Sequence, residues 1–461
     1  MCWGLNGNGQ LGNNSVQNSA KPVAAPNITT AIAVSAGMYH TCAVEASTSA
    51  LYCWGFNGNG ELGNNSTSQK LVPTITTGSP QQWTDVSAGV SMTCGVGAGG
   101  SYCWGKNDVG QLGYNSLGAN CLVPILVFGG DLMVKVNAWG STGCAVKNGY
   151  IPVCWGAGDK GQIGNGSTTA INLMPYISNV PGGKVTSIVS SGQHVCATVP
   201  DSGQLYCWGS NENGSLGIGE SSGIKTTPEL VPLQPLTLSA KGDNTLAIVP
   251  VRHSPPTSGL VAWGSNQDRQ LGTGVYNPAY VDVPVSIDLP NVYEVAAGAF
   301  FSCALADPTE QALYCWGLNN FAQLGLNFVS VNVAVPYLVS NSVAAVSPGY
   351  RHACLVYNAD LALPPRCWGD NSWGQLGNGG TELKQSPFPI SVLTSAQAIS
   401  AGLFHSCALE TNTRYLYCWG DNTYGQLGNG TYTRSLVPAR ISTRVWDEVV
   451  AGSNMSCGVS T

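Results

Sequence analysis

The stretch CWGFNGNGELG, residues 53 to 63, returns almost unchanged at 103 to 113 as CWGKNDVGQLG and at 418 to 428 as CWGDNTYGQLG. Its Trp-Gly pair recurs nine times, and a glycine-rich turn of the GQLG type follows each pair. The pairs begin at Trp3, Trp54, Trp104, Trp155, Trp208, Trp263, Trp316, Trp368 and Trp419. A fixed period of about 51 residues is typical of propellers and solenoids, in which each repeat is one supersecondary unit.

A second element, SAGMYHTCAV at 35 to 44, also recurs nine times and alternates with the first. Each unit contains a short apolar run ending near CAV, a polar tip, a second run ending in YCWG, the glycine-rich turn and a proline-marked run. Short apolar runs between turn residues predict a meander of antiparallel strands. A Trp at one position of every unit is expected to pack in that unit's core rather than to form a cofactor or sugar platform.

The composition agrees with many short strands, because 9% of the residues are charged, 43% are hydrophobic and 59 are glycine. A net charge of −6 provides no basic surface for nucleic acid, so we expect no nucleic-acid partner. No apolar run reaches the roughly 18 residues that a membrane helix needs, so no membrane insertion is expected. Met1 leads straight into a repeat, and we therefore interpret the chain as a mature or trimmed form.

Cysteines occupy matching places in the two apolar runs of seven units, which predicts disulfides across paired strands. The predicted pairs are Cys42 with Cys53, Cys94 with Cys103, Cys144 with Cys154, Cys196 with Cys207, Cys303 with Cys315, Cys354 with Cys367 and Cys407 with Cys418. One unit has Leu246 and Ala262 at these places, and the joint loss of both cysteines is what bonded partners show. Zinc is the alternative, but further His or Cys ligands do not cluster nearby. So many bridges predict an oxidising, extracellular location.

The two ends of the chain complement each other. The chain begins with the YCWG half of a unit, at Cys2, and finishes with the CAV half, at Cys457. If the repeats form a ring, the first strand completes the last unit and a Cys2–Cys457 bridge locks it. Cys121 then remains unpaired, either as an intermolecular link or as a tolerated thiol.

The alternation of AGxxHxCAL with WGxNxxGQLG resembles the RCC1-type repeat over essentially the whole chain, 1–461. The resemblance implies an all-β fold, a closed β-propeller in which the terminal strands complete one blade. Family members generally have seven blades, whereas this chain has nine repeats of about 51 residues, so an open spiral is the alternative. Closure is favoured because it removes exposed strand edges. The cysteine-bearing repeats are similar to those of secreted family members rather than of the chromatin-associated exchange factors.

Candidates for catalysis and metal binding are few. His40, His194, His352 and His405 occupy one position, just before the second strand, and the resemblance implies a structural role there rather than a ring of metal ligands. We find no nucleophile-elbow pattern and no recurring carboxylate pair. The Asn- and Gly-rich turns lack the acidic series of a calcium site. We therefore predict no catalytic residues, no cofactor and no metal.

Eight N-x-S/T sequons provide candidate glycosylation sites, although Asn, Gly, Ser and Thr are also the residues that turns use. The sequons begin at Asn13, Asn27, Asn64, Asn65, Asn165, Asn213, Asn429 and Asn454.

Three classes of function remain. The first is an extracellular binding module that recognises a protein or glycan, a use for which a secreted β-lactamase-inhibiting member of the family is a precedent. The second is a structural subunit of a surface or filamentous assembly, with further copies of the chain as partners. The third, exchange-factor or enzymatic activity, is disfavoured by the acidic balance.

Function is expected where the units differ most, which is in the tips between the paired cysteines. The most divergent tips are residues 199–204, 251–259, 306–312, 357–365 and 410–414. Because every unit is built alike, these tips are predicted to share one face. The candidate binding residues of that face are Arg252, His253, Glu310, Arg366 and Arg414.

Overall fold

The computed structural model describes most of the 461 residues. The residues outside the description are 38, 79–81, 128–132, 140–141, 148–150, 179, 182–183, 186, 191–192, 200–201, 242–243, 252–256, 275–278, 290, 298–299, 330–331, 391, 453 and 461. Within the described ranges, helix is limited to two single 3-10 turns, Glu212–Gly214 and Ala359–Leu361. Neither is long and apolar enough to cross a membrane.

The regular structure is otherwise made of short strands. In chain order they are β1 (Cys2–Gly4), β2 (Ser19–Val23), β3 (Ala31–Ala36), β4 (His40–Glu45), β5 (Leu51–Gly55), β6 (Lys70–Ile75), β7 (Trp83–Ala88), β8 (Met92–Gly97), β9 (Gly100–Gly105), β10 (Cys121–Leu126), β11 (Met133–Trp139), β12 (Thr142–Lys147), β13 (Ile151–Ala157), β14 (Ile171–Ile177), β15 (Ser187–Ser190), β16 (His194–Thr198), β17 (Leu205–Ser210), β18 (Ile224–Val231), β19 (Thr237–Lys241), β20 (Asn244–Val251), β21 (Thr257–Ser265), β22 (Tyr280–Ile287), β23 (Glu294–Ala297), β24 (Phe301–Ala306), β25 (Ala312–Gly317), β26 (Val333–Ser340), β27 (Val343–Pro348), β28 (His352–Tyr357), β29 (Arg366–Gly369), β30 (Lys384–Pro389), β31 (Ala396–Ala401), β32 (His405–Glu410), β33 (Leu416–Gly420), β34 (Ser435–Arg440), β35 (Trp446–Ala451) and β36 (Met455–Ser460).

These strands form nine four-stranded antiparallel sheets, which we call blades I to IX. Blades I to VIII each use four consecutive strands, from β3–β6 in blade I to β31–β34 in blade VIII. Blade IX has the order β2-β1-β36-β35, so both ends of the chain lie in one sheet. The prediction of a nine-bladed β-propeller with a blade shared by the termini is confirmed.

Paired strands place the predicted cysteine partners directly opposite each other. Eight disulfides form, with Cα atoms 4.1 to 4.3 Å apart. They join Cys2 to Cys457, Cys42 to Cys53, Cys94 to Cys103, Cys144 to Cys154, Cys196 to Cys207, Cys303 to Cys315, Cys354 to Cys367 and Cys407 to Cys418. This is the pairing that the sequence predicts, and it includes the bridge between the two ends of the chain.

Two places in the ring depart from this cysteine pattern. In blade V the bridge is replaced by buried Leu246 opposite Ala262, and the β20–β21 hairpin extends over eight residue pairs. Cys121 is free and half-buried in β10, where it packs against two apolar clusters. Apolar contact therefore takes the place of the bridge in blade V, and Cys121 packs as an apolar side chain.

Each blade is tied to the preceding one through its repeated Trp. The indole Nε1 donates a hydrogen bond of 2.7 to 3.0 Å to a main-chain carbonyl in the glycine-rich turn of the blade before it. The nine pairs are Trp3–Gln426, Trp54–Gln10, Trp104–Glu61, Trp155–Gln111, Trp208–Gln162, Trp263–Ser215, Trp316–Gln270, Trp368–Gln323 and Trp419–Gln375. Trp3 therefore joins blade IX to VIII, and Trp54 joins blade I to IX, which closes the ring.

The glycine of the GQLG turn is required by this contact. At Gly428, φ is +70°, and a Cβ atom would lie 2.8 Å from the Trp3 indole nitrogen. The turn itself is organised by a buried Asn in most units. In blade I, Asn57 accepts from the Leu62 main-chain N–H at 2.9 Å and donates to the Ser66 carbonyl at 2.8 Å. Leu62 is thereby held in the core, as the repeat predicts.

The interface between blades IX and I differs from the others. Eight apolar clusters join neighbouring blades from I–II to VIII–IX, whereas the described residues show no such cluster between IX and I. Val86 in β7 is 7% exposed, but Val34, at the matching place in β3, is 53% exposed. Here hydrogen bonds join the turn that carries buried Leu11 to blade I, including those from Trp54 and Thr41 to the Gln10 carbonyl.

Candidate interaction surfaces

The blades present two faces. One, the tip face, is formed by the loops between the second and third strands of each blade, where the divergent tips lie. The other, the turn face, is formed by the loops that precede each second strand and by the glycine-rich turns after each third strand. The common register of the paired strands puts equivalent loops at equivalent ends of all nine blades.

On the tip face, the predicted binding residues belong to different blades and have different neighbours. Glu310 of blade VI is exposed and accepts from the Asn341 side chain at 3.4 Å. Arg366 of blade VII lies over the Tyr357 ring, 5.5 Å from its centroid. Arg414 of blade VIII forms an ion pair with Asp447 of blade IX.

Two of the five predicted residues, Arg252 and His253, lie outside the described residues.

The tips also contribute to the joints between blades. The main-chain carbonyl of Glu310 accepts from Ser342 at 2.8 Å, and that of Arg414 accepts from Trp446 at 3.0 Å. Each contact joins a tip to the first strand of the next blade or to the residue just before it. The tips of blades VI and VII touch directly through the side chains of Gln311 and Asn358. Part of the divergence among the tips therefore serves blade packing.

The sequon asparagines differ in what their side chains do. Asn13, Asn64 and Asn429 each accept, at 3.0 to 3.2 Å, a hydrogen bond from the Asn that organises the same turn. The Nδ2 atom of Asn64, to which a glycan would attach, is buried. Asn27, by contrast, is exposed in the segment between β2 and β3.

The repeated histidines connect neighbouring blades inside the ring. Nε2 of His405 in blade VIII lies 2.8 Å from the Ser456 hydroxyl of blade IX, which donates in turn to the Gln426 carbonyl at 3.0 Å. Because that hydroxyl proton is engaged, the histidine carries its own proton on Nε2 and donates it. His40 with Thr93 and His352 with Ser406 repeat the arrangement at 2.8 and 3.0 Å.

Burial keeps these imidazoles neutral. It lowers the pKa of His40, His194 and His405 to about 4 and that of His352 to about 3. After burial, the second cause of the lowered pKa of His352 is electrostatic repulsion from His405 when that residue is protonated. The Nδ1 atoms of His40, His352 and His405 are buried without a hydrogen-bond partner, so a second proton would have no acceptor. In the described part of the chain, no three His, Cys, Asp or Glu residues are grouped as metal ligands.

An aromatic patch on the turn face spans blades VI to VIII. We define the turn-face patch as Phe300, Phe321, Tyr350, Arg351, Trp373 and Phe404. The Tyr350 ring contacts Phe300 and Phe404 edge to face, at centroid distances of 5.8 and 6.2 Å. The ring centroids of Trp373 and Phe404 are 6.3 Å apart. Phe300 is 38% and Trp373 40% exposed, so the patch presents ring surface to solvent.

The guanidinium of Arg351 lies within this patch. Its carbon is 4.2 Å from the Phe321 centroid and 5.2 Å from the Tyr350 centroid, so it contacts rings of two blades. Arginine over an aromatic ring is held by cation–π attraction and dispersion. The patch is therefore a preorganised surface of rings around one cation.

The sequence carries a signal for this patch that lies outside the divergent tips. The position just before the repeated His is Phe300, Arg351 and Phe404 in blades VI, VII and VIII, but Ser, Gln, Asp or Asn in most other units. The position five residues after the repeated Trp is aromatic in all three of these blades, as Phe321, Trp373 and Tyr424. Two loop positions that carry an aromatic residue or arginine on three consecutive blades indicate a continuous surface.

Comparison with known proteins agrees with the repeat and the fold. The model of the RCC1-like domain matches residues 155–460, and the model of the regulator of chromosome condensation (RCC1) repeat matches 2–44 and 49–96. The chain belongs to the RCC1-repeat family. It is 28% identical over 333 residues to the ultraviolet-B receptor UVR8 of Arabidopsis thaliana, covering 70% of this chain and 72% of UVR8.

Further matches differ in how much of the other protein is covered. It is 29% identical to the human E3 ubiquitin-protein ligase HERC2 over 289 residues, which are 60% of this chain and 6% of HERC2. Among solved structures, Prp20p of Saccharomyces cerevisiae covers 78% of this chain and 91% of its own, with 21% identity and a TM-score of 0.50. Human WBSCR16 covers 100% of this chain and 98% of its own, with 18% identity and a TM-score of 0.50. These structural likenesses show the propeller fold.

Proposed function

We propose that this chain is an extracellular, non-catalytic binding module that holds a protein partner against its turn face. The extracellular location is supported by eight disulfides, because so many bridges persist only in oxidising compartments. Protein binding is supported by the family, since the structural study of Prp20p describes its binding to Gsp1p and histones. The chain spans too little of HERC2 to carry over the ligase activity in that name.

The turn-face patch is the observation that carries this proposal. Trp, Tyr and Arg are enriched among the residues that dominate binding energy at protein interfaces. In the patch, Arg351 lies over the Tyr350 ring, and Phe404 contacts the rings of both Tyr350 and Trp373. An exposed aromatic group of this kind is costly to leave in water, and a partner surface covers it.

The tip face is a second candidate surface, for a protein or a glycan. It is favoured by the joined tips of blades VI and VII, where exposed Glu310 lies beside the Gln311–Asn358 contact. The structural-subunit alternative finds less support, because Cys121 packs against two apolar clusters instead of projecting as a free surface thiol.

Site-specific photo-cross-linking tests the two faces separately. A benzophenone side chain is introduced at position 373 on the turn face, at 415 on the tip face and at 126, near the outer edge of blade II, as a control. Each of the three variants is illuminated in extracellular medium from the organism that produces the protein. We expect one discrete protein adduct from position 373. An adduct only from position 415 would move the function to the tip face, and adducts from neither face would refute a binding role for both.

A further inference from the structure

Arg351 contacts the Phe321 and Tyr350 rings, and its guanidinium N–H groups donate no hydrogen bond to the described residues. The ion pairs there join Lys106 to Asp108, Lys160 to Glu212, Lys225 to Glu220 and Arg414 to Asp447, and none includes Arg351. None of its hydrogen-bond donors contacts a carbonyl or carboxylate of the described residues either. A half-buried guanidinium is therefore fixed in place with its charge uncompensated.

The ring contacts of Arg351 affect which chemical groups of a partner its guanidinium can bind. The guanidinium carbon lies over the Phe321 and Tyr350 rings, and the N–H donors of a guanidinium lie in the plane of the group, at its edge. Two parallel N–H donors of this kind match the two oxygens of a carboxylate. Because the rings already limit the rotamers of Arg351, less side-chain entropy is lost when a carboxylate binds.

The charges around the patch also favour a negatively charged group of a partner. Arg434 donates to the Ser372 carbonyl at 3.3 Å and so places a second cation beside Trp373. Two carboxylates in the loops that carry the patch, Asp370 and Asp421, are buried and hydrogen-bonded within their own loops. Asp370 accepts from Ser372 at 3.0 and 3.1 Å.

Asp421 is engaged in the same manner. It accepts from Thr423 at 2.6 and 3.0 Å and from Gln426 at 2.7 Å. Arg351 is therefore the one charged residue of the turn-face patch, and these two aspartates do not pair with it, although the net charge of the chain is −6.

We propose that the turn-face patch binds an acidic linear segment of a partner protein, with a carboxylate on Arg351 and a neighbouring apolar side chain against Trp373 and Phe404. The inference rests on the proposed function and specifies its partner. A second copy of the chain fits less well, because a two-fold contact centred on the patch would bring the two Arg351 guanidinium groups together.

The test begins with a selection of random displayed peptides on the intact, disulfide-bonded protein. We expect the enriched peptides to combine Asp or Glu with an adjacent Leu, Phe or Trp. A synthetic copy of the leading peptide is then titrated calorimetrically into the protein at low and at physiological salt. Charge-assisted pairing predicts weaker binding at higher salt.

Substitutions in the turn-face patch test which of its side chains contact the peptide. Arg351→Gln is expected to weaken peptide binding about tenfold or more, and Arg351→Lys to restore only part of it, because lysine lacks the planar pair of donors. Trp373→Ala is expected to weaken binding as well. Tyr39→Ala is the matched control, since Tyr39 and Phe56 form a similar edge-to-face pair on the same face, at 6.3 Å, without a guanidinium between them. Thermal melting verifies that each variant is folded.

Three outcomes overturn the inference. Enriched peptides that are basic or purely apolar, or that bind Arg351→Gln as well as the original protein, contradict the acidic occupant. A dimer in sedimentation velocity that Arg351→Gln dissociates identifies a second copy instead. Selection of no peptide contradicts a linear segment. In all three cases the cross-link from position 373 still decides the broader function, so the two failures are distinguishable.

Discussion

Mild acid is predicted to weaken the ring through its buried histidines. His40, His194, His352 and His405 have folded-state pKa values lowered to about 3 or 4 from the ordinary 6.5. A depressed histidine pKa means that the unfolded chain binds more protons below pH 6.5. The contribution to stability is therefore complete above the unfolded pKa and is lost as the pH falls toward the folded value.

The size of the effect follows from the shifts. A histidine that titrates at 6.5 when unfolded and at about 4 when folded loses about 2 kcal/mol of unfolding free energy between pH 7 and pH 5. Four such groups together lose on the order of 8 kcal/mol, which is comparable to the whole stability of many domains. Asp and Glu of ordinary pKa contribute little in this window.

Urea unfolding followed by tryptophan fluorescence measures this loss at pH 7, 6 and 5, with the disulfides intact. His405→Gln retains a donor for the Ser456 hydroxyl but cannot be protonated. It is expected to remove about a quarter of the pH dependence, and His352→Gln a similar share. A midpoint that stays constant from pH 7 to 5, or the same slope in a variant with all four histidines replaced, would refute the reasoning.

Three further predictions concern packing. Amide exchange of β3 is expected to be faster than that of β7, the first strand of the next blade, because Val34 of β3 is exposed where Val86 of β7 is buried; equal protection of the two strands would contradict this. Trp208→Phe, which leaves the Gln162 carbonyl without its indole donor, should cost about 1–3 kcal/mol in urea unfolding, whereas exposed Trp373→Phe should cost almost nothing. Arg414→Ala should cost less than about 1 kcal/mol and less still in high salt, since its ion pair with Asp447 is solvent-exposed; a larger loss would assign the tip a structural role.

Because the sequence is repetitive, the blade architecture and the disulfide pairing could be predicted from it. A residue that recurs in every unit has the same environment in every unit, so Trp54 could be placed in the core and Cys42 opposite Cys53 without coordinates. The shared blade followed from the complementary halves at Cys2 and Cys457. The family and the nine-bladed fold predicted on these grounds are confirmed.

Contacts between units were less predictable, because they depend on distances across blade interfaces. The sequence singled out Arg414 as a binding residue, but it could not show that Asp447 of the next blade pairs with it. It marked Asn64 as a sequon without showing that the turn buries the Nδ2 atom. The cation–π contact of Arg351 with Phe321 likewise joins residues of two blades, and it depends on the geometry of the ring.

Closure of the ring by its two ends is the claim on which both faces depend. Peptide mapping of the intact protein under non-reducing conditions measures it directly, after alkylation of free thiols at low pH and proteolysis. The structure predicts a linked peptide pair containing Cys2 and Cys457, with Cys121 as the one alkylated cysteine. Recovery of Cys2 and Cys457 as free thiols, or joined to other cysteines, would contradict a ring closed within blade IX.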